Sequence, residues 1–109
     1  VRLVIDSARV PLLPGAVDYA RDGVLPGGVG RNRAYLLGTG EEGSQVRAQI
    51  GDSVSPELAD LLMDPETSGG LLASVPGEKL ASLLQAFADA GEDCWVIGEV
   101  VDGSGVEAI

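Results

Sequence analysis

"LLASVPGEKLASLLQAFADAGEDCWVIGEVV", Leu71–Val101, is the stretch whose reading decides the fold. Leu71–Val75 is short, apolar and bounded by turns, the pattern of a strand covered on both faces. Pro76-Gly77 then turns the chain into a helix predicted over Glu78–Ala90. Leu80, Leu83, Leu84 and Phe87 share one stripe of that helix by the i, i+3, i+4, i+7 rule. Gly91 closes it, and Cys94–Val101 has the β-branched, apolar content of a strong strand. Strand, helix and strand in this order predict an α/β layer, with a right-handed crossover if the two strands are parallel. Asp102–Gly105, "DGSG", adds a hairpin signal leading to a last short strand in "VEAI".

Upstream, the same alternation continues. Val1–Asp6 reads as a strand, and a short helix follows from Gly15 to Arg21, with Pro14 at its entry and Gly23 past its end. "VLPGGVG", Val24–Gly30, is a glycine-rich corner before a helical "RNRAYLL". Gly38–Gln45 is polar and glycine-rich, expected to be the most mobile loop, and "VRAQI" is a short candidate strand. Ser55 is a good N-cap, Pro56 suits the first helical position, and Glu57 faces the dipole. Leu58, Leu61 and Leu62 should form that helix's buried face, and Asp64-Pro65 ends it. The fold class predicted is α/β, a small mixed sheet packed by helices.

The totals narrow the function. A chain of 109 residues is one domain at most, and its start at Val1, already inside a β-like pattern, reads as a piece of a longer protein. The net charge of −10, from 17 acidic and 7 basic residues, argues against nucleic acid or an anionic membrane as partner. No apolar run approaches the roughly 20 residues that span a bilayer. The single cysteine, Cys94, rules out an internal disulfide and fits a reducing cytosol. Without a histidine there is no Cys/His zinc site, and the commonest general base is missing. Cys94 has no basic neighbour to lower its pKa and reads as inert; Trp95 reads as core.

Two corners could hold an anion. In the first, Thr67, Ser68, Gly69 and Gly70 follow Asp64. Successive N–H groups beside a left-handed glycine can form an anion-binding nest, and the two hydroxyls could add donors. A tight turn satisfying its own carbonyls explains the same residues. In the second, Gly27 and Gly28 precede Arg31 and Asn32 at a helix start, where dipole and guanidinium both favour phosphate. A glycine corner with solvated arginines paired to nearby carboxylates is the plain alternative. Asp64 is the one carboxylate placed among ligand-like groups that could serve magnesium, though an Asp before Pro is commonly a turn residue.

"VPLLPGAVDYARDGVLPGGVGRNRAYL", "LADLLMDPETSGGLLASVP" and "CWVIGEVV" together resemble the C-terminal domain of the selenophosphate synthetase (selenide, water dikinase) family. The resemblance covers nearly the whole chain and implies the aminoimidazole ribonucleotide synthetase-related superfamily. It further implies an α/β C-terminal domain beside an N-terminal domain that dimerises. The implied reaction converts ATP, selenide and water to selenophosphate, AMP and phosphate with magnesium. The family's catalytic Cys or selenocysteine, its lysine and its metal-binding aspartates belong to segments with no counterpart here. Residues 1–109 are thus expected to be a domain fragment, inactive alone, with no catalytic or metal-ligating residue. Gly27, Gly28, Arg31 and Asn32, with Asp64, Thr67, Ser68, Gly69 and Gly70, are the positions carried over as phosphate-facing. Val29 and Gly30 stand where the family more often has Thr or Ser and a basic residue, which lowers that expectation for the glycine corner before Arg31. Alternatives are a thiamine-phosphate kinase-like or purine ligase-like relative, or a non-catalytic dimerisation module.

Overall fold

The computed structural model describes residues 1–42 and 44–109; Gly43, within the loop expected to be mobile, lies outside the described residues. The chain runs β1 (Arg2–Ile5), a 3-10 turn (Ser7–Arg9), α1 (Ala16–Arg21), α2 (Gly28–Leu37) and β2 (Ala48–Ile50). It continues through α3 (Pro56–Leu61), α4 (Gly77–Ala90), β3 (Gly98–Val101) and β4 (Gly105–Ala108). The four strands form one mixed sheet in the order β2-β4-β1-β3. β1 is parallel to β4 and antiparallel to β3, and β2 is parallel to β4. This is the small mixed sheet with helices expected of an α/β chain.

Register gives the sheet two unlike faces. Leu3 pairs with both Val100 and Val106, and Val106 with Ala48; one step on, Ile5 pairs with Ala108, and Ala108 with Ile50. Because side chains alternate along a strand, these residues share one apolar face. The other face carries Arg2, Glu99, Glu107 and Gln49, with Arg2 and Glu107 joined at 2.9 Å. α2 packs on β2, α3 on α2, and α1 on α3. The core lies between these helices and the β2–β4 half of the apolar face, where Val54, Ala59 and Ala108 are buried and Ile50, Leu58 and Leu62 pack around them. No large side chain is fully buried among the described residues, so small aliphatic groups do most of the packing.

α3 forms as its sequence dictates. The Ser55 hydroxyl accepts from the Leu58 N–H at 3.3 Å, a cap worth about 1 kcal/mol. The Glu57 carboxyl is held below its ordinary pKa, chiefly by its own backbone N–H, then by the Ser55 hydroxyl and by Arg21. The Arg21 guanidinium reaches it at 3.5 Å, fastening α1 to the start of α3.

Several expectations need correction. Asp102–Gly105 does not close a hairpin: β1 lies between β3 and β4, so the loop arches across the end of β1. Gly103, at φ 137°, sits against the Arg2 side chain there. Leu71–Val75 is not a strand, and its first four residues are exposed rather than covered. The α4 stripe is likewise not a buried face: the helix has no buried residue. Trp95 is 54% exposed rather than core, and the strand predicted from Cys94 begins only at Gly98. α2 starts within the predicted corner, at Gly28.

Candidate functional site

The two glycine corners meet at their bases. α3 ends at Leu61, and the following Met63–Pro65 segment lies against the first turn of α2. A Cβ added to Gly28 would fall 2.5 Å from Pro65 Cγ and 3.0 Å from its Cβ. The absent side chain therefore lets a proline ring seat on the helix start, and Gly28 and Val29 are buried there. Asn32 secures the junction, its Nδ2 donating to the Met63 carbonyl at 2.9 Å. Arg33 adds a 2.5 Å ion pair with Asp60, the carboxylate pairing offered as the plain reading of these arginines.

This geometry reassigns several predicted site residues. Gly28 has a packing role, since the Pro65 ring takes the space that a side chain there would fill. Asn32 is a tie between elements rather than a cap of α2, whose N-cap Gly27 offers no side-chain hydrogen bond. Gly69 and Gly70 have no positive φ, so the left-handed glycine that a nest requires is missing from the loop. At Gly69 an added Cβ would meet the Glu66 side chain, its carboxylate Oε2 at 2.7 Å and its Cβ at 3.2 Å, and at Gly70 it would meet nothing within 4 Å. Thr67, Ser68, Gly27 and Arg31 remain exposed, and among the described residues Arg31 forms no ion pair.

Asp64 is the position whose environment asks for a partner. Its Oδ1 is buried without a hydrogen bond among the described residues. An unsatisfied buried acceptor of this kind costs about 1–3 kcal/mol, a cost that a donor or cation would remove. A carboxylate repels phosphate, so Asp64 at the base of the junction is a poor direct partner for an anion. Magnesium demands a near-octahedral oxygen shell. Among the described residues no group of three or more ligating side chains assembles, and Asp64 alone does not fit that requirement.

Two cavities open beside this junction and on the sheet. One, of about 150 Å³, is apolar and opens between the sheet and α2–α3, lined among others by Ile5, Leu36, Leu62, Met63 and Val106. The other, of about 410 Å³, lies on the polar sheet face beside Arg2, Arg47, Gln49, Ser104 and Glu107. Arg47 is held there: it stacks 4.2 Å from the Tyr35 ring centroid and donates to the Tyr35 carbonyl and to Gln45. Sequence reading did not single out Arg47, because the Tyr35 ring and carbonyl reach it only once β2 follows α2.

A mixed-sheet α/β domain with a polar loop and a glycine-led helix joined at a proline is the class that fold and site define. The family model for the AIR synthase related protein, C-terminal domain, matches residues 27–109, and the chain belongs to that family. Its relatives include proteins named selenide, water dikinase. The one from Clostridium botulinum (strain Eklund 17B / Type B) is 36% identical over 90% of this chain and 26% of its own length. That from Myxococcus xanthus (strain DK1622) is 33% identical over 99% of the chain and 29% of its own length. A third, from Burkholderia orbicola (strain MC0-3), is 40% identical over 91% and 26% respectively. The chain thus spans about a quarter of the length of these curated relatives.

Proposed function

We propose that this chain is the C-terminal domain of a selenide, water dikinase, which converts ATP, selenide and water to selenophosphate, AMP and phosphate. Its own N-terminal domain would supply the metal carboxylates, the nucleophile and the homodimer contact, with magnesium and ATP bound in the whole enzyme. Phosphoryl transfer depends on positioning and on neutralising charge. This chain offers the first and little of the second, so alone it should be inert. The reading places the enzyme in the cytoplasm, away from membranes and nucleic acid. Among the described residues no helix is long and apolar enough to cross a membrane.

Within the enzyme, the chain's residues would form one wall of the nucleotide cleft. The Thr67 and Ser68 hydroxyls and the Arg31 guanidinium are the exposed donors beside the junction, suited to phosphate oxygens. The wall would also exclude water from the reacting phosphates. The observation that supports this best is the meeting of two sequence-distant corners through Pro65 and Gly28. Ser68→Ala in the full-length enzyme should lower kcat by about tenfold or more, the scale of losing one donor to developing charge. Thermal stability should be unchanged, since Ser68 is exposed and its hydroxyl has no hydrogen-bond partner among the described residues. An unaltered kcat would make Ser68 a turn residue only.

A further inference from the structure

We infer that Asn32 is a positioning residue for the loop bearing Thr67 and Ser68: through the Met63 carbonyl it fixes where those hydroxyls stand relative to Arg31. The inference rests on the reading of that loop as part of the nucleotide cleft's wall. Three observations meet here. The loop has no anchor of its own, since from Thr67 to Ser74 the backbone makes no hydrogen bond among the described residues, and this whole segment is exposed. The last hydrogen bond before it that crosses to another element is Asn32 Nδ2 donating to the Met63 carbonyl at 2.9 Å, 31 residues away in sequence. Beyond Met63 the chain only turns on itself, the Asp64 N–H donating to the Leu61 carbonyl and the Glu66 N–H to the Asp64 carbonyl. Met63 is buried, so its carbonyl depends on that donor.

The third observation is one of spacing. Gly28, Arg31 and Asn32 stand at i, i+3 and i+4 and so share one side of α2. The side that seats Pro65 and holds Met63 therefore also carries Arg31, which forms no ion pair among the described residues. Arg33, one step on, pairs with Asp60 inside α3 and so holds that helix. Asn32 instead holds the point where the chain leaves α3 for the loop. Cation and hydroxyls thus take their separation from α2, a rigid element, provided that the Asn32 amide keeps its grip. Asn32 acts through Thr67 and Ser68, not on phosphate itself.

A double-mutant cycle in the full-length enzyme tests it, with kcat for selenide-dependent AMP formation as the readout. Asn32→Ala should lower kcat about tenfold, as Ser68→Ala does. Adding Ser68→Ala to Asn32→Ala should lower it by no more than about a further twofold, because the hydroxyl is already misplaced. A merely structural loss would reduce the active fraction and multiply with Ser68→Ala, giving a fall of roughly 100-fold; that result would overturn the inference and leave Ser68 as a phosphate donor. Asn32→Asp keeps the shape but sets a carboxylate against the Met63 carbonyl, and should match Asn32→Ala. Full kcat in either Asn32 variant would also overturn the inference. If Ser68→Ala alone changes nothing, the wall reading falls and this inference with it. Should Asn32→Ala fail to fold, Asn32→Ser takes its place in the same cycle with the same two outcomes.

Discussion

Gly98→Val should unfold the domain or cost it about 3–5 kcal/mol, the largest stability loss expected of any single substitution here. Gly98 pairs with Ile5 across the antiparallel ladder of β1 and β3. A Cβ at Gly98 would overlap the Val4 carbonyl oxygen and press on the Val4 carbonyl carbon and Ile5 Cα at 3.0 and 3.1 Å. These are backbone atoms of a strand held on its other side by β4, so they have little room to retreat. β3 could move instead, but only by releasing the Asp6 N–H from the Ile97 carbonyl, now at 2.8 Å, and the ladder beyond it. Either response removes the strand that closes one side of β1. Thermal or urea unfolding measures the effect, and a midpoint within a degree or two of the unaltered chain would show that the strands do not approach this closely.

Gly28→Val should have the largest effect on the site. Its new side chain would meet the Pro65 ring, whose atoms cannot rotate aside as a lysine's or glutamate's can. The first turn of α2 and the Met63–Pro65 segment must separate, straining the Asn32–Met63 hydrogen bond. A loss of about 2–3 kcal/mol is expected, typical of overpacking, with a fall in the full-length enzyme's activity exceeding that of Ser68→Ala. Gly70→Ala is the matched control, because its Cβ would enter open space at an ordinary φ. Equal behaviour of the two variants would mean that contact between the corners is irrelevant.

Local chemistry was legible wherever the deciding contacts are near in sequence. The cap at Ser55, the proline after it, Leu58 and Leu62 toward the core, and the stops at Gly23 and Gly91 all follow from neighbours within one turn. What could not be read were contacts set by distant segments. "DGSG" has the composition of a hairpin, yet the N-terminal strand inserts between the strands it links, and nothing in four residues encodes that. The apolar run at Leu71–Val75 reads as buried because composition reports preference, while burial depends on whether a partner surface is in place. The glycines of the two corners show the same limit. Gly28 and Gly70 look alike in sequence, but one is needed because Pro65 arrives from 37 residues away and the other meets nothing.

The family assignment sets how the functional reading can be checked. An AIR synthase related C-terminal domain that matches only a quarter of a selenide, water dikinase should be exchangeable for that quarter and powerless without the remainder. The most direct measurement is selenide-dependent AMP formation from ATP, by this chain alone and by the Clostridium botulinum relative with its matching segment replaced by this chain. No AMP is expected from the chain alone, and clear turnover from the folded hybrid. Turnover by the lone chain, or a folded hybrid that binds ATP yet makes no AMP, would contradict it.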